Sequence, residues 1–407
     1  MKIVIITQGS LGDVRPFLAL GISFMKRGYE VLVCAPKNFQ KLFISYGISY
    51  QPIGLDFQSI SPNNKANASE KKDVFQLLIQ SITEQFMVLP EYVKVANLII
   101  GNGFDFAGRS IAEYYKLPYF IIVPMPLAFK SKYHAPMSIP FKRRSFVSNT
   151  FLWWIGELAS KLMFGKKINQ HRIKLGLSKI DNYVSFMSKN AIMAADAILA
   201  PLPPDCLNIF QTGFLDYEEG IELDDKLLNF INSGSAPVYI GFGSMTDSKP
   251  EKTSKILEEL VQHRDIRFVI SKGWANLEVK GDNMNVLFVD HVPHSLLFPK
   301  MSIIIHHGGA GTTYMAARAG IPQIIIPHDL DQYYWGYRIM DLKIGITPIK
   351  RKKLTSDKLL SAIYEIMNDP EYRKNAKEIG AVLNLKNGVE ETINIITEKA
   401  QTPNKRS

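Results

Sequence analysis

Cysteine is nearly missing from this chain: Cys34 and Cys206 are the only two in 407 residues. They lie far apart and in no metal-type spacing, which argues against a disulfide framework or a zinc site. Such sparing use suits a reducing compartment. Long apolar runs are missing too. The most hydrophobic stretch, Leu117 to Phe129, is shorter than a membrane span and is broken by Pro124 and Pro126. The opening Met1-Lys2-Ile3-Val4-Ile5-Ile6 is too short an apolar run for a signal peptide and reads as a first strand. No carboxylate pair stands at a metal-binding spacing, and no basic-aromatic nucleic-acid module is visible. These gaps predict a cytoplasmic protein with no metal and no nucleic-acid partner.

What is plentiful is core-forming material. Apolar residues make up 46% of a chain long enough for two or three domains. The net charge of +10 asks for an anionic counterpart, either a membrane surface or a small anionic ligand once nucleic acid is set aside. The longest basic run, Lys350 to Lys353, reads as a solvated turn before a helix.

In chain order, Lys2 to Thr7 is a continuous apolar strand, and Gln8 to Asp13 is a turn. Val14 to Arg27 carries apolar residues at helical spacing, with Pro16 in its first turn and Gly28 at its end. Glu30 to Cys34 is a second strand, which completes a βαβ opening. A dehydrogenase reading fails here. The turn has Gly9 and Gly12 but no G-x-G-x-x-G, and Cys34-Ala35-Pro36 offers no acidic residue to a ribose. Gln58 to Lys72 reads as a loop and Asp73 to Leu89 as a helix. Further strands are expected at Leu98–Gly101, Tyr119–Val123, Ala197–Leu199 and Ile209–Gln211. Phe146 to Phe164 is an aromatic-rich helix after Lys142-Arg143-Arg144. It either packs on its own domain or presents a surface to a lipophilic molecule or an anionic bilayer. Asp216 to Asp225 suggests a linker. A second series of strands follows at Val238–Phe242, Arg267–Ile270, Val286–Val289 and Ile344–Pro348.

The most informative stretch is Ile303-Ile304-Ile305-His306-His307-Gly308-Gly309-Ala310-Gly311-Thr312-Thr313, continuing to Asp331-Gln332. It reads as a buried strand, a Gly-rich turn and a helix stopped by Gly320 and Pro322. Such a turn aims free backbone N–H groups and the positive end of a helix dipole at one point, which suits a phosphate. A second apolar run, Gln323 to Ile326, ends in His328 and Asp331-Gln332. Polar groups after two neighbouring strands belong at the carboxyl edge of a parallel sheet, where open α/β folds bind ligands.

His306 to Thr313, Arg318-Ala319-Gly320-Ile321-Pro322-Gln323, Pro327, Asp331-Gln332, Trp335 and Arg338 closely resemble the donor signature of the UDP-glycosyltransferase superfamily. The similarity is to its bacterial antibiotic glycosyltransferases and sterol 3-beta-glucosyltransferases. Gly9 to Leu20 resembles their opening. The resemblance implies an α/β chain of the GT-B fold: two doubly wound, Rossmann-like parallel-sheet domains with a cleft between them. The expected division is an acceptor-binding domain over 1–215, a linker over 216–236 and a nucleotide-sugar-binding domain over 237–384. Residues 385–407 would hold a last helix crossing back to the first domain.

It further implies an inverting, metal-independent hexosyl transfer from a UDP-sugar, UDP-glucose first, to a hydroxyl of a sterol, polyketide or other lipophilic molecule. A dTDP-sugar-dependent antibiotic transferase is the alternative within the class. A non-catalytic lipid-binding protein is the alternative outside it. Monomer and homodimer both stay open. Asp13 is the expected base, with Gly12 beside it and His134 shaping the acceptor pocket; its other role would be to cap the helix after the turn. His306 is expected on the diphosphate, with Gly308, the backbone of Gly309, Ala310 and Gly311, the Thr312 hydroxyl and Ser244. Its other role would be that of a core histidine bonded to backbone, and His307 is read as structural. Asp331 and Gln332 are expected on the sugar hydroxyls, with helix capping open to Asp331 as well. His291 and Val292 are expected near the nucleobase.

Overall fold

A computed structural model describes residues 1–56, 68–217, 222–242, 250–272, 284–290, 292–328 and 331–401. The first half folds around seven parallel strands: β1 (Lys2–Ile6), β2 (Glu30–Ala35), β3 (Ser49–Pro52), β4 (Leu98–Gly101), β5 (Tyr119–Val123), β6 (Ala191–Ala194) and β7 (Phe210–Thr212). Their order is β3-β2-β1-β4-β5-β6-β7. Ile6 pairs with Cys34 on one side and with Gly101 on the other, so the carboxyl ends of the central strands stand level. The strands are almost wholly apolar because helices cover both faces. From β1 the chain winds outward in both directions, which places the topological switch point between β1 and β4.

The second half repeats the plan with five parallel strands: β8 (Val238–Gly241), β9 (Phe268–Ser271), β10 (Val286–Val289), β11 (Ile303–His306) and β12 (Gln323–Ile325), in the order β10-β9-β8-β11-β12. Side chains along β11 alternate between faces. Ile303 and Ile305 pack with Ile240 and Phe268, while Ile304 packs with Tyr239 and Val269 on the other side. Here the switch point lies between β8 and β11.

Three differences from the sequence expectations have local causes. The sixth strand is Ala191–Ala194, not Ala197–Leu199. The latter is a turn, closed by the Leu199 N–H donating to the Asp196 carbonyl at 3.0 Å. The expected linker contains a helix, Asp225–Asn232, capped by the Leu227 N–H donating to Asp224 Oδ1 at 2.7 Å. Its Leu227 and Ile231 pack into the layer around Val269 and Leu287, so Asp224 and Asp225 open a helix joined to the second sheet. Ile344–Pro348 adds only a single parallel bridge, Gly345 to Gln323.

The last helix, Gly388–Gln401, packs on the first half. Val389, Ile393 and Ile396 join the core of the helix Leu11–Lys26. The Thr392 and Thr212 hydroxyls bond at 2.8 Å, and the Gly213 N–H donates to Glu391 Oε2 at 2.8 Å. Gly388 lies so close to the Gly213 backbone that any side chain on it would collide there. Across the halves, Arg318 pairs with Asp216 at 3.0 Å, and Arg338 Nε donates to the Leu199 carbonyl at 2.7 Å. Phe141 packs edge-on to Tyr334.

Candidate active site

At the first switch point the turn after β1 runs straight into the helix Leu11–Lys26. Ser10 is its N-cap, and Asp13 reaches back to it: Ser10 N–H and Ser10 Oγ donate to Asp13 Oδ2 at 2.8 and 2.9 Å. The Ser10 N–H bond to the Asp13 carboxylate is the return half of a capping box. Both Ser10 bonds fall on Oδ2, and among the described residues no other side chain bonds Oδ1. Gly9 holds φ +121, and a Cβ there would meet Asp13 Oδ2 at 2.5 Å, so the carboxylate packs directly on this glycine. Burial raises the Asp13 carboxyl above its ordinary range, against the lowering effect of the two Ser10 bonds. The helix starts at Leu11, three residues earlier than expected, so Pro16 falls in its second turn. Pro16 has no N–H to donate to the Gly12 carbonyl.

A cavity of about 120 Å³ opens beside Asp13. Gly12, Asp13 and Pro16 form one wall, and Asn102 and Gly103, just after β4, form another. Asn102 ties the two strand ends together: its Nδ2 donates to Thr7 Oγ1 at 3.2 Å and to the Gln8 carbonyl at 2.6 Å. Met125, Ala128, Met137 and Phe214 make the rest largely apolar. His134 is absent from this lining. Its ring is buried edge-on to Trp153, with Nδ1 3.0 Å from the Ala135 carbonyl and Trp153 Nε1 donating to the His134 carbonyl. The expected acceptor contact through His134 is thus replaced by a structural one, because the loop turns the ring inward onto the helix Phe146–Ser160.

At the second switch point the Gly-rich turn follows β11. His306 does not face the opening. It is 0% exposed, and both ring nitrogens are taken. The Gly308 N–H donates to Nδ1 at 3.0 Å, and Nε2 lies 2.9 Å from Gln323 Oε1. Gln323 Nε2 then donates to the Thr313 carbonyl at 3.1 Å. Since Nδ1 accepts, Nε2 carries the proton. This chain of bonds locks the turn to β12 and to the helix Ala310–Arg318. Burial pushes His306 down to about 4, against the raising effect of Gln323, so it is neutral. With no ring atom spare, His306 holds the turn and makes no phosphate contact in this arrangement, which corrects the sequence expectation.

His307, unlike His306, has a ring nitrogen to spare. It is half-buried, and its Nδ1 has no partner among the described residues. Its Nε2 lies over Gly309, where a Cβ would come within 2.6 Å. Gly309 is the N-cap of the helix Ala310–Arg318 and offers no side chain to the first-turn N–H groups. Ala310, Gly311 and Thr312 are partly exposed at that terminus. Burial, and then His306, His328 and His294, push His307 down to about 3. Gly308, at φ +92, packs on Gln332, whose carbonyl oxygen a Cβ would meet at 3.1 Å. The turn and the Asp331-Gln332 pair are thereby neighbours. Asp331 does not cap its helix; its Oδ2 accepts from Trp335 Nε1 at 3.0 Å. Gln332 Oε1 accepts from the His328 N–H at 2.7 Å. Val292 stands just before the short helix His294–Leu297, half-buried. Ser244 and His291 lie outside the described residues.

Phe214 joins the two half-sites. It lines the cavity beside Asp13, stacks on Tyr314 with ring centroids 4.6 Å apart, and lies 3.5 Å from where a Gly311 Cβ would stand. Sequence reasoning missed Phe214 and Asn102, which carry no local signal.

Two parallel sheets, one with a cavity and the other with a Gly-rich helix N-terminus at its switch point, are the layout of a glycosyltransferase of the GT-B fold. Comparison with known proteins agrees. Residues 3–133 match the glycosyltransferase family 28 N-terminal domain, and residues 256–389 match the erythromycin biosynthesis protein CIII-like C-terminal domain. The chain is 30% identical over 351 residues to vancomycin aglycone glucosyltransferase of Amycolatopsis orientalis, covering 85% of each protein. It is 27% identical to a sterol 3-beta-glucosyltransferase of Arabidopsis thaliana, covering 96% of this chain and 66% of that one. The solved structure of glycosyltransferase VinC in complex with dTDP superposes with a TM-score of 0.70 at 17% identity, over 98% of this chain and 100% of that one. The chain belongs to the UDP-glycosyltransferase superfamily, alongside the bacterial antibiotic and sterol glycosyltransferases.

Proposed function

We propose that this enzyme transfers a hexose, glucose first, from a UDP-sugar to a hydroxyl of a lipophilic acceptor such as a sterol or polyketide, with inversion. One observation carries the reading. A carboxylate on an apolar cavity and an uncapped helix N-terminus beside a neutral histidine are joined by a single side chain, Phe214. The acceptor would lie in the cavity. Its hydroxyl proton passes to Asp13 Oδ1, and its oxygen forms the new bond to the anomeric carbon as the bond to the diphosphate oxygen breaks. The raised Asp13 carboxyl makes a better base than an exposed aspartate. The departing diphosphate gains charge, which the first-turn N–H groups of Ala310, Gly311 and Thr312 would stabilise, with His307 as a further donor. Asp331 and Gln332 would hold the sugar.

A second reading, a dTDP-sugar as donor, is favoured by the dTDP bound to the structural neighbour VinC. A thermal-shift panel with UDP, dTDP, GDP, ADP and NAD separates the two. A nucleotide at a hundred times its Kd stabilises by about 2.7 kcal/mol. Asp13→Asn should then keep the affinity for the preferred nucleotide and lose transfer by about 10²–10³-fold. Loss of both in equal measure would reject Asp13 as the base.

A further inference from the structure

The helix Phe146–Ser160 and the wider turn Lys161–Gly165 turn an apolar stripe outward. Val147, Phe151, Trp154, Ile155, Leu158 and Leu162 recur at helical spacing, and their exposure runs from 41% at Ile155 to 80% at Val147. Two buried anchors fix this orientation. Asn149 Nδ2 donates to the Lys132 carbonyl at 2.9 Å, and Trp153 Nε1 donates to the His134 carbonyl at 2.8 Å. A helix normally points its apolar stripe at the core. This one points its stripe away from the core, and a patch of that kind marks an interaction surface.

Charge identifies the partner. Between Leu127 and Ile180 stand eleven Lys and Arg residues and one acid, Glu157; elsewhere 37 basic and 37 acidic residues balance. The whole net charge of the chain therefore sits in the segment that bears the stripe. Glu157 is itself paired with Lys130 at 2.9 Å. Exposed Lys142, Lys161 and Lys166 flank the stripe, and Lys132 Nζ lies 5.5 Å from the Tyr133 and Phe146 rings at its edge. A second copy of this chain would bring like charge against like charge. Aromatic and aliphatic side chains ringed by lysines fit the interface of an anionic bilayer. Among the described residues no helix is long and apolar enough to cross a membrane, so the helix would lie in the interface plane.

We propose that this face docks the enzyme on anionic lipid. The segment that leads into this helix supplies Met125, Ala128 and Met137 to the cavity beside Asp13, so the docked face and the cavity are built from one stretch of chain. Delivery of a lipophilic acceptor from the lipid rests on the transfer reading above; docking does not.

The test is co-sedimentation of the full chain with vesicles of phosphatidylcholine, alone or with about one third phosphatidylglycerol. Binding should be at least about tenfold stronger to the anionic vesicles and should weaken about tenfold between about 0.05 and 0.5 M salt. The double variant Trp154→Ser, Leu158→Ser changes only exposed side chains. It should lose about tenfold in partition while its nucleotide-induced thermal shift stays intact. No binding by the folded chain, equal binding to neutral vesicles, or unchanged binding by the double variant would each overturn the proposal. So would self-association that the double variant abolishes, which would give the face to a second copy. Failure of sugar transfer would leave the partition result standing.

Discussion

Replacing His306 and His307 one at a time separates a residue that holds the turn from one proposed to meet the donor. His306→Ala leaves the Gly308 N–H and Gln323 Oε1 without partners in a site closed to water. Leaving such groups unsatisfied costs about 1–3 kcal/mol, and the lost ring leaves a cavity worth about 1–2 kcal/mol more. A total near 3 kcal/mol lowers the midpoint of a domain this size by roughly 6–12 °C. His307→Ala removes a half-buried ring whose Nδ1 has no partner, so it should cost within about 1 kcal/mol. It should instead weaken the nucleotide about tenfold, or about 1.4 kcal/mol. Calorimetry without ligand gives the first pair of numbers, and titration with UDP and dTDP gives the second. Gln323→Leu provides a cross-check. It should destabilise like His306→Ala, and the double variant should fall short of additivity by more than about 1 kcal/mol. A His306→Ala variant that melts like wild type but loses more nucleotide affinity than His307→Ala would refute this division of roles.

Acid should weaken the second half of the chain through His306. An unfolded histidine takes a proton below about 6.5, whereas buried His306 refuses one until about 4. Between those values the unfolded state holds the extra proton, so stability falls as pH drops, by about 2 kcal/mol at pH 5 from this residue. Asp105, raised to about 6 by burial, acts with the opposite sign. The readout is therefore the urea stability of wild type minus that of His306→Phe. That gap should narrow by about 2 kcal/mol from pH 7.5 to 5, and a constant gap would reject the assignment. Gly388→Ala places a methyl group against the Gly213 backbone. It should detach the start of the last helix, cost about 2–3 kcal/mol, and raise hydrogen exchange over residues 388–396. An unchanged exchange pattern would show that the close approach relaxes freely.

What could be read in the sequence follows the range of the interactions. The strands β1, β2, β4, β5 and β11 announced themselves as apolar runs because burial on both faces leaves no room for polar side chains. The Gly-rich turn was legible because Gly308 holds a positive φ and Gly309 has no room for a Cβ beneath the His307 ring. The helix Asp225–Asn232 was misread because its first turn is acidic, which suits a helix start as well as a linker. The choice between His306 and His307 was illegible for a different reason. Adjacent residues at a strand end point to opposite sides, and which side is closed depends on Gln323, seventeen positions away. Phe214 and Asn102 act by joining distant segments, and a one-dimensional pattern has no term for that.

The chemistry needs what neither sheet has alone. In open α/β sheets ligands bind at the carboxyl ends of the strands near a switch point, and a transfer needs two such places facing each other. The halves meet through Phe214 on Tyr314, the pair Arg318–Asp216, the Arg338 bond to the Leu199 carbonyl, and the returning helix Gly388–Gln401. Several of these come from the helices Ala310–Arg318 and Gln332–Asp341, whose N-termini carry the expected donor residues. The elements that would grip the nucleotide sugar are thus the ones that seat the second half on the first. A donor that shifts the helix Ala310–Arg318 would press on the Phe214 wall of the cavity beside Asp13, so the proposed donor and acceptor sites would be coupled through one aromatic contact.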